Sequence, residues 1–267
     1  MEELLIVIHT LTHEMRAYEL AILVVLSLCS FSLAAEMHGR WLAVRGIKIQ
    51  AVYCGVLSFV CLWALLVIHP RQILGGSGLA LALSVPAGLV LGAVAGRIDR
   101  AVIRHSNRQH LRQTYKATLS RQADLRARRP TQPLRPRVTP AVALVDGRRT
   151  LGLQRIQQNA WQPQSGHEFG LWGVITVAVL EELIYRGFLV AVCFLLPGPL
   201  LIGLALAGTV AVFALSHIWF GWVHVVAKLP LGIVALLAVL TLGTVLPAVI
   251  GHVFFNVKVW HDVRTMR

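Results

Sequence analysis

Apolar residues run along this chain in long blocks, and the polar residues gather between them. Leu20–Ala35, Ile49–Ile68 and Ile73–Gly96 in the first half contain no Asp, Glu, Lys or Arg. The second half has Phe169–Leu196, interrupted by charges only near its middle, then Leu200–Leu215, Leu229–Leu242 and Thr244–Val257. Apolar runs of roughly 20 residues are what a helix needs to cross a bilayer. The pattern predicts an all-α polytopic membrane protein of about seven transmembrane helices. The sixth run is short: its 14 residues reach only about 21 Å at 1.5 Å per residue. An extension back towards Val223, little tilt, or burial among its neighbours would reconcile it with a bilayer.

Composition agrees. Hydrophobic residues make up 56% of the 267 and charged residues only 14%, against about 25% in soluble domains. The start of the chain, with Glu2, Glu3, Glu14 and Arg16 among short apolar runs, lacks the basic and cleavage-site pattern of a signal peptide. Cys29, Cys54, Cys61 and Cys193 all fall in apolar runs without C-x-x-C spacing, so they read as small buried hydrophobes.

The net charge of +13 changes meaning once it is located. Fifteen Lys and Arg lie between Arg97 and Arg155 against Asp99, Asp124 and Asp146. A basic loop flanking a membrane accounts for that excess without nucleic acid. Arg40, Arg45 and Lys48 follow the first run, only Arg71 the second, the large basic loop the third, and the uncharged Pro197–Pro199 the fourth. Lys228 follows the fifth, and Lys258, Arg264 and Arg267 the last. Basic loops face the cytoplasm, which places the N-terminus outside and the C-terminus inside a multi-pass cell membrane, best suited to a bacterial plasma membrane. Arg100, Arg104, Arg108, Arg112 and Lys116 recur every four residues and predict a helix with a cationic stripe near anionic lipid. Pro130, Pro133, Pro136 and Pro140 then break it. The division expected is 1–96 for a three-helix membrane segment, 97–168 for the basic helix and linker, 169–260 for a helical core, and 261–267 for a tail.

Candidate chemistry lies after residue 168, with no comparable cluster before it. Glu181-Glu182-Leu-Ile-Tyr-Arg186 places three ionisable groups in the middle of an apolar run, at about 2.5–3.5 kcal/mol each on insertion scales. Glu182 and Arg186 are four apart and share a helix face, which predicts an ion pair. Glu181 lies about 140° from Arg186 around the axis and is expected to be left free to face a cavity, where it can act as a general acid or base. Phe213-Ala-Leu-Ser-His217 sets an aromatic ring beneath an imidazole, and His252-Val-Phe-Phe-Asn256 sets two donors side by side, as an oxyanion hole requires. Ser216 has no helical reason to face His217, and there is neither G-x-S-x-G nor H-E-x-x-H. No metal is required, although Glu181, His217 and His252 leave a zinc site open. His9, His13 and His69 read as interfacial.

These three motifs, in this order, resemble those of the CPBP family, the type II CAAX prenyl protease and bacteriocin-processing (ABI-like) membrane proteins. Gly187-Phe188-Leu189 and Leu246-Pro247-Ala248 strengthen the likeness, which covers residues 169 to 260. The resemblance implies an intramembrane endopeptidase in which Glu181 activates water, His217 assists it, and His252 with Asn256 forms the oxyanion hole. It implies no cofactor, and a membrane-associated protein or peptide as substrate. A non-catalytic immunity or partner-binding protein would carry the same motifs, and a proton-coupled transporter could use the same glutamates. The transporter would call for an internal repeat that the chain lacks.

Overall fold

The computed structural model describes residues 2–68, 74–127, 170–218 and 221–265. Among them are seven helical rods and no strand. The helices are α1 (Glu2–Met37), α2 (Ile49–Val67), α3 (Gly78–Ala127), α4 (Leu171–Glu182), α5 (Leu189–Cys193), α6 (Pro199–Leu215), α7 (Trp222–Leu242) and α8 (Leu246–Thr265). A π-helical turn, Leu183–Phe188, joins α4 to α5 in one rod. The protein is an all-α polytopic membrane protein. Four helices, Tyr18–Arg45 with its extension past α1, α2, Gly78–Ser106 and α7, are long and apolar enough to cross a membrane. Many of their large apolar side chains face outward, among them Leu66, Leu79 and Val90. Buried charges with an apolar exterior are the arrangement that lipid selects.

The sixth run is not short. α7 begins at Trp222, and its 21 residues span about 31 Å. Lys228, expected in a loop, is therefore inside a helix and buried. Residues 2–17, left outside the first run, continue α1. α3 passes without a break from its apolar half into the basic one, so the boundary drawn at 96/97 lies within a single helix. The stripe from Arg100 to Lys116 is helical as its spacing predicts, and Arg104 and Arg108 are exposed. The proline-rich linker, His69 and Arg71 lie outside the described residues.

α3 and α8 run parallel and very close. Gly88, Gly92 and Gly96 form a small-residue stripe on α3, opposite Gly251 on α8. A methyl group at Gly92 would come within 2.5 Å of the Gly251 carbonyl oxygen, and one at Gly251 within 2.9 Å of the Gly88 carbonyl. Without a hydrophobic force to drive helices together in lipid, such close backbone contact is a main source of association. α7 runs antiparallel to α3. Its end is tied to the start of α3 by Thr244, whose hydroxyl donates to the Leu74 carbonyl at 2.8 Å. α2 packs between α1 and α4 and buries Val52, Tyr53, Val56, Leu57, Val60, Cys61 and Ala64, an i, i+3, i+4 stripe. Its Cys61 thiol reaches the Leu180 carbonyl at 3.6 Å.

Gly92→Ala and Gly251→Ala should each lower stability by about 1–3 kcal/mol, the usual range for overpacking. Gly203→Ala, where a methyl group would meet nothing within 4 Å, should be neutral or slightly stabilising. Thermal unfolding of the purified protein in detergent reads the difference.

Candidate active site

The rod α4–α5 is the centre of the bundle. Ile184, Tyr185, Arg186, Gly187 and Phe188 are all buried, although five consecutive residues of a helix point in every direction. The π-helical turn, a form that recurs at functional sites, presents Arg186 to the interior. Its guanidinium Nε lies 3.3 Å from Glu182 Oε2, and Nη1 donates to Oε1 at 3.4 Å. The guanidinium also lies over the Phe213 ring of α6, 3.8 Å from its centre, a cation–π contact strengthened by the absence of water. Arg186 is 3% exposed and Glu182 fully buried. Opposite them Gly232 on α7 keeps the space open: a methyl group there would come within 3.3 Å of Arg186 Nη2.

Glu182 has a second partner that its own helix could not reveal. His252, carried by α8, donates from Nδ1 to Glu182 Oε1 at 2.7 Å. That bond commits Nδ1 as the donor and turns Nε2 towards Glu181, 3.9 Å from its Oε2. Glu181 is not unpaired, contrary to expectation. The Tyr53 hydroxyl of α2 donates to Glu181 Oε1 at 2.8 Å. Spacing along one helix carries only the partners of that helix, and Tyr53 comes from another. The two glutamates nevertheless differ. Glu182 Oε1 accepts from both Arg186 and His252 while its Oε2 lies beside the same guanidinium without a hydrogen bond, whereas Oε2 of Glu181 faces the His252 imidazole across a gap too long for a direct hydrogen bond.

Phe213 joins the two histidines. Its ring stands edge-to-face with His217 at 5.2 Å, with His252 at 5.8 Å and with Tyr185 at 5.4 Å. His217 donates from Nδ1 to the Phe213 carbonyl at 3.0 Å, leaving Nε2 as the acceptor nitrogen. α6 ends at Leu215, so Ser216 and His217 sit in a turn where helical spacing does not apply. Ser216 accordingly lies beside His217, its Oγ 3.2 Å from Nδ1, while donating to the Phe213 carbonyl. Asn256 is buried one turn beyond His252 on α8. Among the described residues no group of three or more His, Cys, Asp or Glu is arranged to hold a metal ion.

Beside this cluster lies a second charge pair, between two residues expected in loops. Lys228 of α7 approaches Asp99 of α3 at 3.7 Å, with both side chains largely buried, and its ammonium lies 3.8 Å from the centre of the Phe255 ring. The signal available in the sequence is weak: Asp99 is the first acidic residue after an apolar run, and Lys228 stands between Ala227 and Leu229.

Residues 165–258 match the family model described as type II CAAX prenyl endopeptidase Rce1-like. This is a protease family, and the matched segment holds every residue of the cluster except Tyr53 and Asp99. No curated protein and no solved structure matches the chain.

Removing one member of a buried pair strands the other, at about 3–5 kcal/mol. Asp99→Ala should therefore lower the unfolding temperature sharply. Asp99→Leu combined with Lys228→Met should recover most of that loss, and a double-mutant cycle on thermal unfolding measures the coupling.

Proposed function

We propose that this protein is an intramembrane endopeptidase of the CAAX-protease type, in which a glutamate activates water to cleave a membrane-associated protein or peptide. The observation that carries this reading is the approach of His252 Nε2 to Glu181 Oε2 at 3.9 Å, with Nδ1 of the same ring fixed by Glu182. Two polar atoms at that separation can share one water molecule. Its proton passes to Glu181 as the oxygen attacks the scissile carbonyl. His217, with Nδ1 on the Phe213 carbonyl and Nε2 carrying the lone pair, assists that transfer. The tetrahedral oxyanion is taken up by His252 and Asn256, His252 donating from Nε2 when that nitrogen is protonated. The proton held by Glu181 then goes to the leaving amine.

Glu182 and Arg186 act as structure, keeping His252 in one orientation. No cofactor enters this scheme. The family match supports a substrate ending in a prenylated cysteine tetrad, lodged in the membrane by its lipid. The cationic face of α3 would lie against anionic headgroups, a contact worth on the order of 1 kcal/mol per basic residue. The N-terminus would then lie outside and the C-terminus in the cytoplasm of a cell membrane.

The test is cleavage of a farnesylated fluorogenic peptide ending in a Cys-aliphatic-aliphatic-X tetrad by protein reconstituted in nanodiscs. Glu181→Gln should abolish turnover while leaving the unfolding temperature within a few degrees of wild type. Glu182→Ala and Arg186→Ala should lower stability first. Full turnover by Glu181→Gln would overturn the glutamate mechanism, and no turnover by the wild type would favour a non-catalytic membrane protein that keeps the motifs as scaffold.

A further inference from the structure

α2 lies outside the segment that matches the protease family, yet it supplies a direct contact to the proposed base. Tyr53 sits in the apolar stripe that faces α4, buried to 6% exposure. Its ring is held edge-to-face by Phe31 of α1 at 5.3 Å. A phenol in such a stripe needs a partner for its hydroxyl, and it finds Glu181 Oε1 at 2.8 Å. α2 is kept in register along α4 by the Cys61 contact to the Leu180 carbonyl, more than two turns further along α2.

We propose that Tyr53 is the positioning residue of the catalytic glutamate, so that the first two helices complete the active site carried by the second half. This inference rests on the reading of Glu181 as the base. With Oε1 occupied by the tyrosine hydroxyl, the carboxylate cannot turn about its terminal bond without losing a hydrogen bond in a medium that offers no replacement. Oε2 is thereby kept facing His252 Nε2, where the water is to be deprotonated. α1 contributes through Phe31, which holds the phenol ring at the angle its hydroxyl needs. Tyr53 touches neither substrate nor water in this scheme; it acts through Glu181.

Tyr53→Phe removes one oxygen and keeps the ring against Phe31. On the farnesylated peptide it should reduce kcat roughly 10- to 100-fold, the scale of one hydrogen bond to a charged group. KM and the unfolding temperature should stay near wild type, and the limb of the pH–rate profile that reports the base should move. The carboxylate infrared band that disappears in Glu181→Gln should also shift in Tyr53→Phe, a readout independent of turnover. Tyr18→Phe, at an exposed tyrosine, should change none of these. A Tyr53→Phe protein with wild-type kcat, pH profile and carboxylate band would overturn the positioning role while leaving the glutamate mechanism standing. A rise in KM alone would instead make Tyr53 a substrate contact. Full turnover by Glu181→Gln would remove the base itself, and the proposal with it.

Discussion

Four of the five buried acidic and basic side chains among the described residues, Asp99, Glu182, Arg186 and Lys228, stand in ion pairs, and the packing of the helices follows from that requirement. Desolvating an ion costs several kcal/mol even after relaxation, and only close partners repay it. Glu182 is matched by Arg186 on its own rod and by His252 from α8; Asp99 of α3 is matched by Lys228 of α7. Counting Glu181, Glu182 and Asp99 against Arg186 and Lys228, the buried ionic side chains of the described residues include one more acid than base. The acid left over is Glu181, whose Oε2 lies 3.9 Å from His252 Nε2. The pairing that fixes the helices therefore leaves Glu181 without a lysine or arginine of its own.

Helix contacts set how closely those groups meet. His252 follows Gly251 directly, and Gly251 is where the α8 backbone comes within touching distance of α3. The glycine contact thus fixes the depth of α8 in the bundle, and with it the distance from His252 to both glutamates. On the opposite side α2 holds Tyr53 against Glu181. Between them the π-helical turn after Glu182 brings Arg186 over the Phe213 ring. Three helices and one aromatic ring hold the carboxylate pair, so no single element of the site is self-sufficient.

The seven rods could be read from the sequence because crossing lipid demands a continuous apolar length, and that demand leaves its mark residue by residue. The contact between Glu182 and Arg186 could be read for a similar reason: a spacing of four along one rod is visible in the sequence. The partners supplied by other helices could not. Lys228 and Asp99 looked like loop charges, since a buried ion differs from a solvated one only by a partner far away in the chain. That misreading also made α7 seem too short. Ser216 was judged by helical spacing where the helix had already ended. Tyr53 went unnoticed because a single hydroxyl in an apolar stripe has no spacing to betray it.

The same distinction sharpens the division between the two glutamates. Along one helix the two differ by whether Arg186 is within reach, which leaves Glu181 to stand alone. In the folded protein neither stands alone; the difference lies in what remains open on each. Glu182 has Oε1 committed to a guanidinium N–H and an imidazole N–H, with Oε2 beside the same guanidinium. Glu181 has one oxygen committed to a neutral phenol and the other directed at an imidazole nitrogen it does not touch. A carboxylate tied to a guanidinium is held in place as half of an ion pair. One held by a single neutral donor is oriented and still available, which is the condition a general base must meet. Orientation is therefore the contribution of α2, and availability follows from the distance that α8 keeps.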